Sequence, residues 1–205
     1  VIGSATLAFT GVAAGLIVAP GVDFAAVARN AIADRRAGVC TGLGVAAGSL
    51  VHTTAAVAGV ATILVAHRSL FTALQVAGGV YLLYLGVRSL LTLRRDRHEA
   101  EPPPAAGSPG RAFRQGFVVN VSNPKAPVLF LSLLPQFIPP GADPLGRSLV
   151  LSLIVVGCAL LWFPTVALVV HSIGALLGGR RVQRMLTVAT ALLVLGLGLR
   201  MLLFG

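Results

Sequence analysis

The sequence predicts an all-α membrane protein: six transmembrane helices arranged as two inverted three-helix repeats, with the first and fourth helices broken at proline. Composition, apolar run length and the placement of basic residues each lead there. Of 205 residues, 56% are hydrophobic and only 11% charged, against about 25% charged in a soluble domain. Apolar runs recur at the ~20-residue length that a helix needs to cross a bilayer. They are too long for membrane strands and show no alternation of period two. The 16 basic residues outnumber the 6 acidic ones, for a net charge of +10. On a soluble protein that charge would suggest nucleic acid. Here the cations fall between apolar runs, so no nucleic-acid partner is expected and they read as anchors against anionic lipid.

The first run extends from about Ile2 to Ala28 and is interrupted at Pro20-Gly21; no basic residue precedes it, which argues against a cleaved signal peptide. The second extends from about Val39 to Ala66, the third from Leu70 to Leu93, the fourth from Phe113 to Ile138, the fifth from Leu145 to Leu177 and the sixth from Val182 to Phe204. Basic residues set the orientation. The first loop holds Arg29, Arg35 and Arg36, the third Arg94, Arg95, Arg97, Arg111 and Arg114, and the fifth Arg180, Arg181 and Arg184. The second offers Arg68 and the fourth Arg147. By the positive-inside rule the odd loops are cytoplasmic and both termini lie outside. Residues 94–112, rich in proline, glycine and mixed charge, read as a flexible cytoplasmic linker between a first half (1–93) and a second half (113–205). Three helices per half is an odd number, so the halves are oppositely oriented, as in an inverted repeat.

The stretch Asn120–Phe137 carries two asparagines, three prolines and Lys125, the only lysine in the chain. A charge near the bilayer centre costs at least ~2.5–3.5 kcal/mol, so an intramembrane ion marks a candidate functional site. Proline opens the helix ladder, and in lipid the freed backbone groups are tolerated only against protein or a water-lined cavity. Broken helices bearing ions are how many secondary transporters build a substrate site. Each half places such a break and one ion early: Pro20-Gly21-Val22-Asp23 and Asn123-Pro124-Lys125. At ~1.5 Å per residue from Arg29 and Arg114, both breaks fall well inside the membrane. Asp23 is either the cap of a second half-helix or a carboxyl that takes a proton or grips a substrate ammonium, and the two roles are compatible. Lys125 either snorkels to the interface or holds a substrate carboxylate. Asn120 and Asn123 supply amide donors and acceptors, or simply bond helices together. His52 either relays a proton or packs as a hydrogen-bonded histidine. Tyr81 and Tyr84 share a face of the third helix.

Cys40 and Cys158 lie far apart and make no metal spacing or disulfide framework. There is no H-E-x-x-H, no G-x-S-x-G and no phosphate loop, so neither an enzyme nor direct ATP driving is expected. The G-x-x-x-G pairs Gly11/Gly15, Gly38/Gly42, Gly44/Gly48 and Gly174/Gly178 pack helices either within one chain or between two, which leaves a homodimer open.

Several motifs follow each other in order: P-G-V-D-F (Pro20 to Phe24), R-R-A-G (Arg35 to Gly38), G-x-x-x-G-x-x-V-H (Gly44 to His52), G-G-V-Y-L-L-Y-L-G (Gly78 to Gly86), G-F-V-V-N-V-S-N-P-K-A (Gly116 to Ala126) and F-L-S-L-L-P-Q-F (Phe130 to Phe137). The set resembles the LysE/RhtB family of bacterial amino-acid exporters over nearly the whole chain. The resemblance implies six helices, no cofactor, a place in the bacterial inner membrane, and export of an amino acid or close derivative driven by an ion gradient, normally of protons. Val22 replaces the second proline of the family's P-G-P. Ser49 stands where the second-helix motif usually carries an acid, which argues against a dibasic substrate and leaves Asp23 as the main candidate for coupling. A zwitterion needs one anion and one cation, and Asp23 and Lys125 meet that need. Two further readings remain: an exporter of a metal cation or cationic toxic compound, disfavoured by Lys125, and a non-transporting membrane scaffold, which gives the buried ions no role.

Overall fold

The computed structural model describes residues 3–19, 21–66, 68–95, 107–123, 130, 133–138, 141–177 and 180–204. Among them all regular structure is helical: α1 (Ser4–Val18), α2 (Val22–Ala33), α3 (Arg35–Ala66), α4 (Arg68–Arg95), α5 (Pro109–Val121), a short 3-10 turn (Leu134–Phe137), α6 (Pro144–Leu177) and α7 (Arg180–Phe204). Among the described residues, Arg35–Gly59 and Pro144–Ser172 are long and apolar enough to cross a membrane. The pair Ser4–Val18 and Val22–Ala33, bent by 56° at its break, is long and apolar enough when taken together. This is the architecture of a helical membrane protein.

The expected interruptions are present. The first run divides where Gly21 takes up extended backbone (φ −166°, ψ −166°), and α2 restarts with its first bond from Ala25 N–H to Gly21 O at 2.9 Å. The fourth run divides after Val121. Pro20, Pro124 and Lys125 lie outside the described residues, as does most of the 94–112 linker.

The first loop differs from expectation. Arg29 lies within α2, and Arg35 and Arg36 open α3, so Asp34 alone joins the two helices. Arginine ends an apolar count without ending a helix, because its stem can carry the guanidinium to the interface. Asp34 also caps α3, accepting from Ala37 N–H at 2.7 Å. Asp143 does the same for α6, accepting from Leu145 N–H at 3.1 Å and Gly146 N–H at 2.9 Å. Ser108, followed by Pro109, caps α5. These side chains satisfy amide groups that a helix start leaves bare.

Helix α3 is the central element. It packs along α5 and α6, α2 lies against all three, and α4 pairs with α7. Close approach comes from glycine. A Cβ on Gly116 of α5 would run into the Thr41 carbonyl of α3, and one on Gly44 of α3 into the Phe113 carbonyl of α5. One on Gly48 would stand 2.7 Å from Asn120 Oδ1, and one on Gly42 would stand 2.9 Å from the Phe163 carbonyl carbon of α6. The pair Gly44/Gly48 is therefore occupied within the chain. Besides a small cluster of Leu82, Leu133 and Leu197, two larger apolar cores result. One centres on Val27, Val45, Ala159 and Phe163, toward the basic ends of the helices. The other, at the opposite end, holds Phe9, Leu134, Phe137, Leu151 and Val155.

Candidate functional site

The two helix breaks meet. Asn123, the second residue beyond the end of α5, donates from Nδ2 to Asp23 Oδ2 on the first turn of α2 at 2.9 Å, joining residues 100 apart in sequence. Asp23 stands where bare N–H groups and the positive end of the helix dipole favour an anion. It is ten residues, about 15 Å, from the end of α2.

Asn120 is one turn earlier on α5, where Ala112, Gly116 and Asn120 form its buried stripe. Its side chain lies over Gly48, whose missing Cβ makes the space. Its carbonyl lies 2.9 Å from His52 Nε2, so His52 links α3 to the end of α5. Asn120 Oδ1 is buried and has no hydrogen-bond partner among the described residues. A buried carbonyl oxygen left bare is costly, and such a group points to a ligand or water that completes it. Asp23, Asn123, Asn120 and His52 thus converge on the junction of α2, α3 and α5.

Other sequence-predicted residues behave differently. Ser49 is buried beside Gly48, but its hydroxyl bonds back to Val45 O at 3.2 Å, and Thr53 in turn bonds to Ser49 O at 2.9 Å. Tyr81 stands apart on α4 with Tyr84 as its ring neighbour, centroids 6.2 Å apart.

A second polar cluster was not anticipated. Asn30 is 1% exposed and Thr41 fully buried. Asn30 Nδ2 donates both hydrogens, to Thr41 Oγ1 at 2.7 Å and to Gln115 Oε1 at 2.8 Å. Thr41 passes its own hydrogen to Ala37 O at 2.8 Å. Asn30 lies seven residues beyond Asp23, two helical turns along one face, and that spacing was the available signal.

The LysE type translocator family matches residues 14–205 of the chain. The protein belongs to the LysE family. This LysE-family protein is 27% identical to the uncharacterized membrane protein YrhP of Bacillus subtilis over 95% of its length and 96% of that protein's. It is 30% identical to the threonine efflux protein of Escherichia coli K12 over 74% of each chain. No solved structure matches it. The convergence of polar side chains at two broken helices therefore sits in a membrane translocator.

Proposed function

We propose that the protein exports a neutral amino acid or close derivative across the bacterial inner membrane in exchange for protons, through six spans related as two inverted repeats. The observation that carries this reading is the Asp23–Asn123 hydrogen bond of 2.9 Å, which brings the two helix interruptions together. Asp23 faces the substrate ammonium, and Asn123 holds that carboxylate in place. Asn120 Oδ1 offers the ammonium a second acceptor. Lys125, the next ion after Asn123 in sequence, takes the substrate carboxylate. On the outer side the ammonium leaves and a proton takes its place on Asp23, so that carboxyl returns neutral. The name of the Escherichia coli relative makes threonine the first substrate to try.

The test is efflux of a radiolabelled amino-acid panel from proteoliposomes, with and without an imposed proton gradient. Gradient-dependent flux of threonine or another neutral amino acid, lost in Asp23→Asn and in Lys125→Met, is the expected result. Absence of flux for every amino acid, from protein that is folded and inserted, refutes the proposal.

A further inference from the structure

The Asn30–Thr41–Gln115 cluster lies one step along the bundle from the Asp23–Asn123 junction. Along α2, Asn30 is about 10 Å from Asp23 toward the end marked by Asp34, Arg35 and Arg36. Along α5, Gln115 is about 12 Å before Asn123, on the side of Arg111 and Arg114. The cluster therefore ties α2, α3 and α5 together between the Asp23–Asn123 junction and the arginine-rich side. Its bonds are complete: both Asn30 hydrogens are used, and Thr41 both accepts and donates. Among the described residues, the other end of the bundle is packed with apolar side chains. There Phe9 meets Phe137 edge to face, centroids 5.2 Å apart, among Leu134, Leu151 and Val155.

We propose that Asn30, Thr41 and Gln115 form the inner gate of the transport path, which rests on the exporter reading above. The physical difference between the two closures supports the assignment. Opening a hydrogen-bonded layer onto the cytoplasm exchanges protein partners for water, a nearly even trade. Opening an aromatic and aliphatic layer exposes apolar surface with no such compensation. The inner closure therefore yields more readily, and an exporter must load from that side. The bonds are few and directional, so the gate closes in one register, with α2 and α5 both held to α3.

Cysteine accessibility tests this without requiring transport. In a Cys40→Ala/Cys158→Ala background, Asn123→Cys places one thiol beside Asp23. Its modification by a membrane-impermeant cationic thiol reagent is timed in inside-out and in right-side-out vesicles. Thr41→Val keeps the shape and removes the acceptor; Gln115→Leu removes the other. Each is expected to speed labelling from the cytoplasmic side about five- to tenfold, the factor that one hydrogen bond of ordinary net strength represents. Thr41→Ser, which keeps the hydroxyl, is expected to label at the parent rate and serves as the folding control. Unchanged rates in folded Thr41→Val and Gln115→Leu, an equal rise from both faces, or a rise from the outer face alone would each overturn the gate. Efflux is read separately on protein that keeps Asn123; faster inner labelling together with no amino-acid flux there would keep the gate and remove the substrate reading. Normal efflux with unaltered labelling would do the reverse.

Discussion

Replacing Gly116 by alanine measures how much of the fold depends on backbone contact between α3 and α5. The new Cβ would run into the Thr41 carbonyl oxygen, with the carbonyl carbon at 2.9 Å and Cα at 3.1 Å. Those are main-chain atoms in mid-helix and cannot swing aside as a side chain does, so α5 must move off α3. Overpacking of this kind costs about 1–3 kcal/mol. The gain in helix propensity from glycine to alanine, about 1 kcal/mol, offsets part of it. Gly157 in α6 is the internal reference, because a Cβ there meets nothing within 4 Å. Gly157→Ala collects the same propensity gain without the clash, so the two variants should differ by the overpacking cost, about 1–3 kcal/mol. For a chain of this length a kcal/mol is worth roughly 2–4 °C in Tm, giving a gap of roughly 2–12 °C. The assay is thermal unfolding in detergent, followed by fluorescence of the single tryptophan, Trp162. Melting of Gly116→Ala at or above the temperature of Gly157→Ala would refute the claim that α3 and α5 touch through glycine.

Three other outcomes are expected. Asn123→Ala removes a hydrogen bond to the Asp23 carboxylate, and since bonds to charged groups are worth about 1.5–3 kcal/mol, efflux in proteoliposomes should fall tenfold or more. Gly48→Ala would put a methyl 2.7 Å from Asn120 Oδ1 and 2.8 Å from Asn120 Cβ, so amino-acid binding should weaken well beyond the loss of thermal stability, as read by equilibrium binding to purified protein. Asp34→Ala and Asp143→Ala each remove a helix cap worth about 1 kcal/mol, which should appear as a small drop in Tm that Asp→Asn largely avoids.

Much of this was readable in the sequence because hydropathy and proline act locally. Apolar length and arginine placement located the helices, and Pro-Gly before Asp23 and Pro after Asn123 located the breaks. Gly44 and Gly48 announced close packing, but the surface they meet, Phe113 to Asn120 of α5, follows only from the tertiary arrangement. Asn30 was hidden by its neighbour: one residue after Arg29, it reads as the start of a loop, whereas α2 continues to Ala33 and buries it. Gln115 sits between Arg114 and Gly116 in an amphipathic stretch where a solvated amide is unremarkable. Its pairing with Asn30 spans 85 residues, and no local pattern encodes a contact at that range.

The one-residue joint at Asp34 gives α2 a mechanical character. The helix is 12 residues long and interrupted at both ends, by residues 19–21 on one side and by Asp34 in extended backbone on the other. It is a rod of about 18 Å with a break at each end. Pivoting about Asp34, Asn30 is about 6 Å from the fulcrum and Asp23 about 16 Å, so a tilt of about 10° moves the first by about 1 Å and the second by nearly 3 Å. Short leverage at one amide would thus become long travel at the carboxylate.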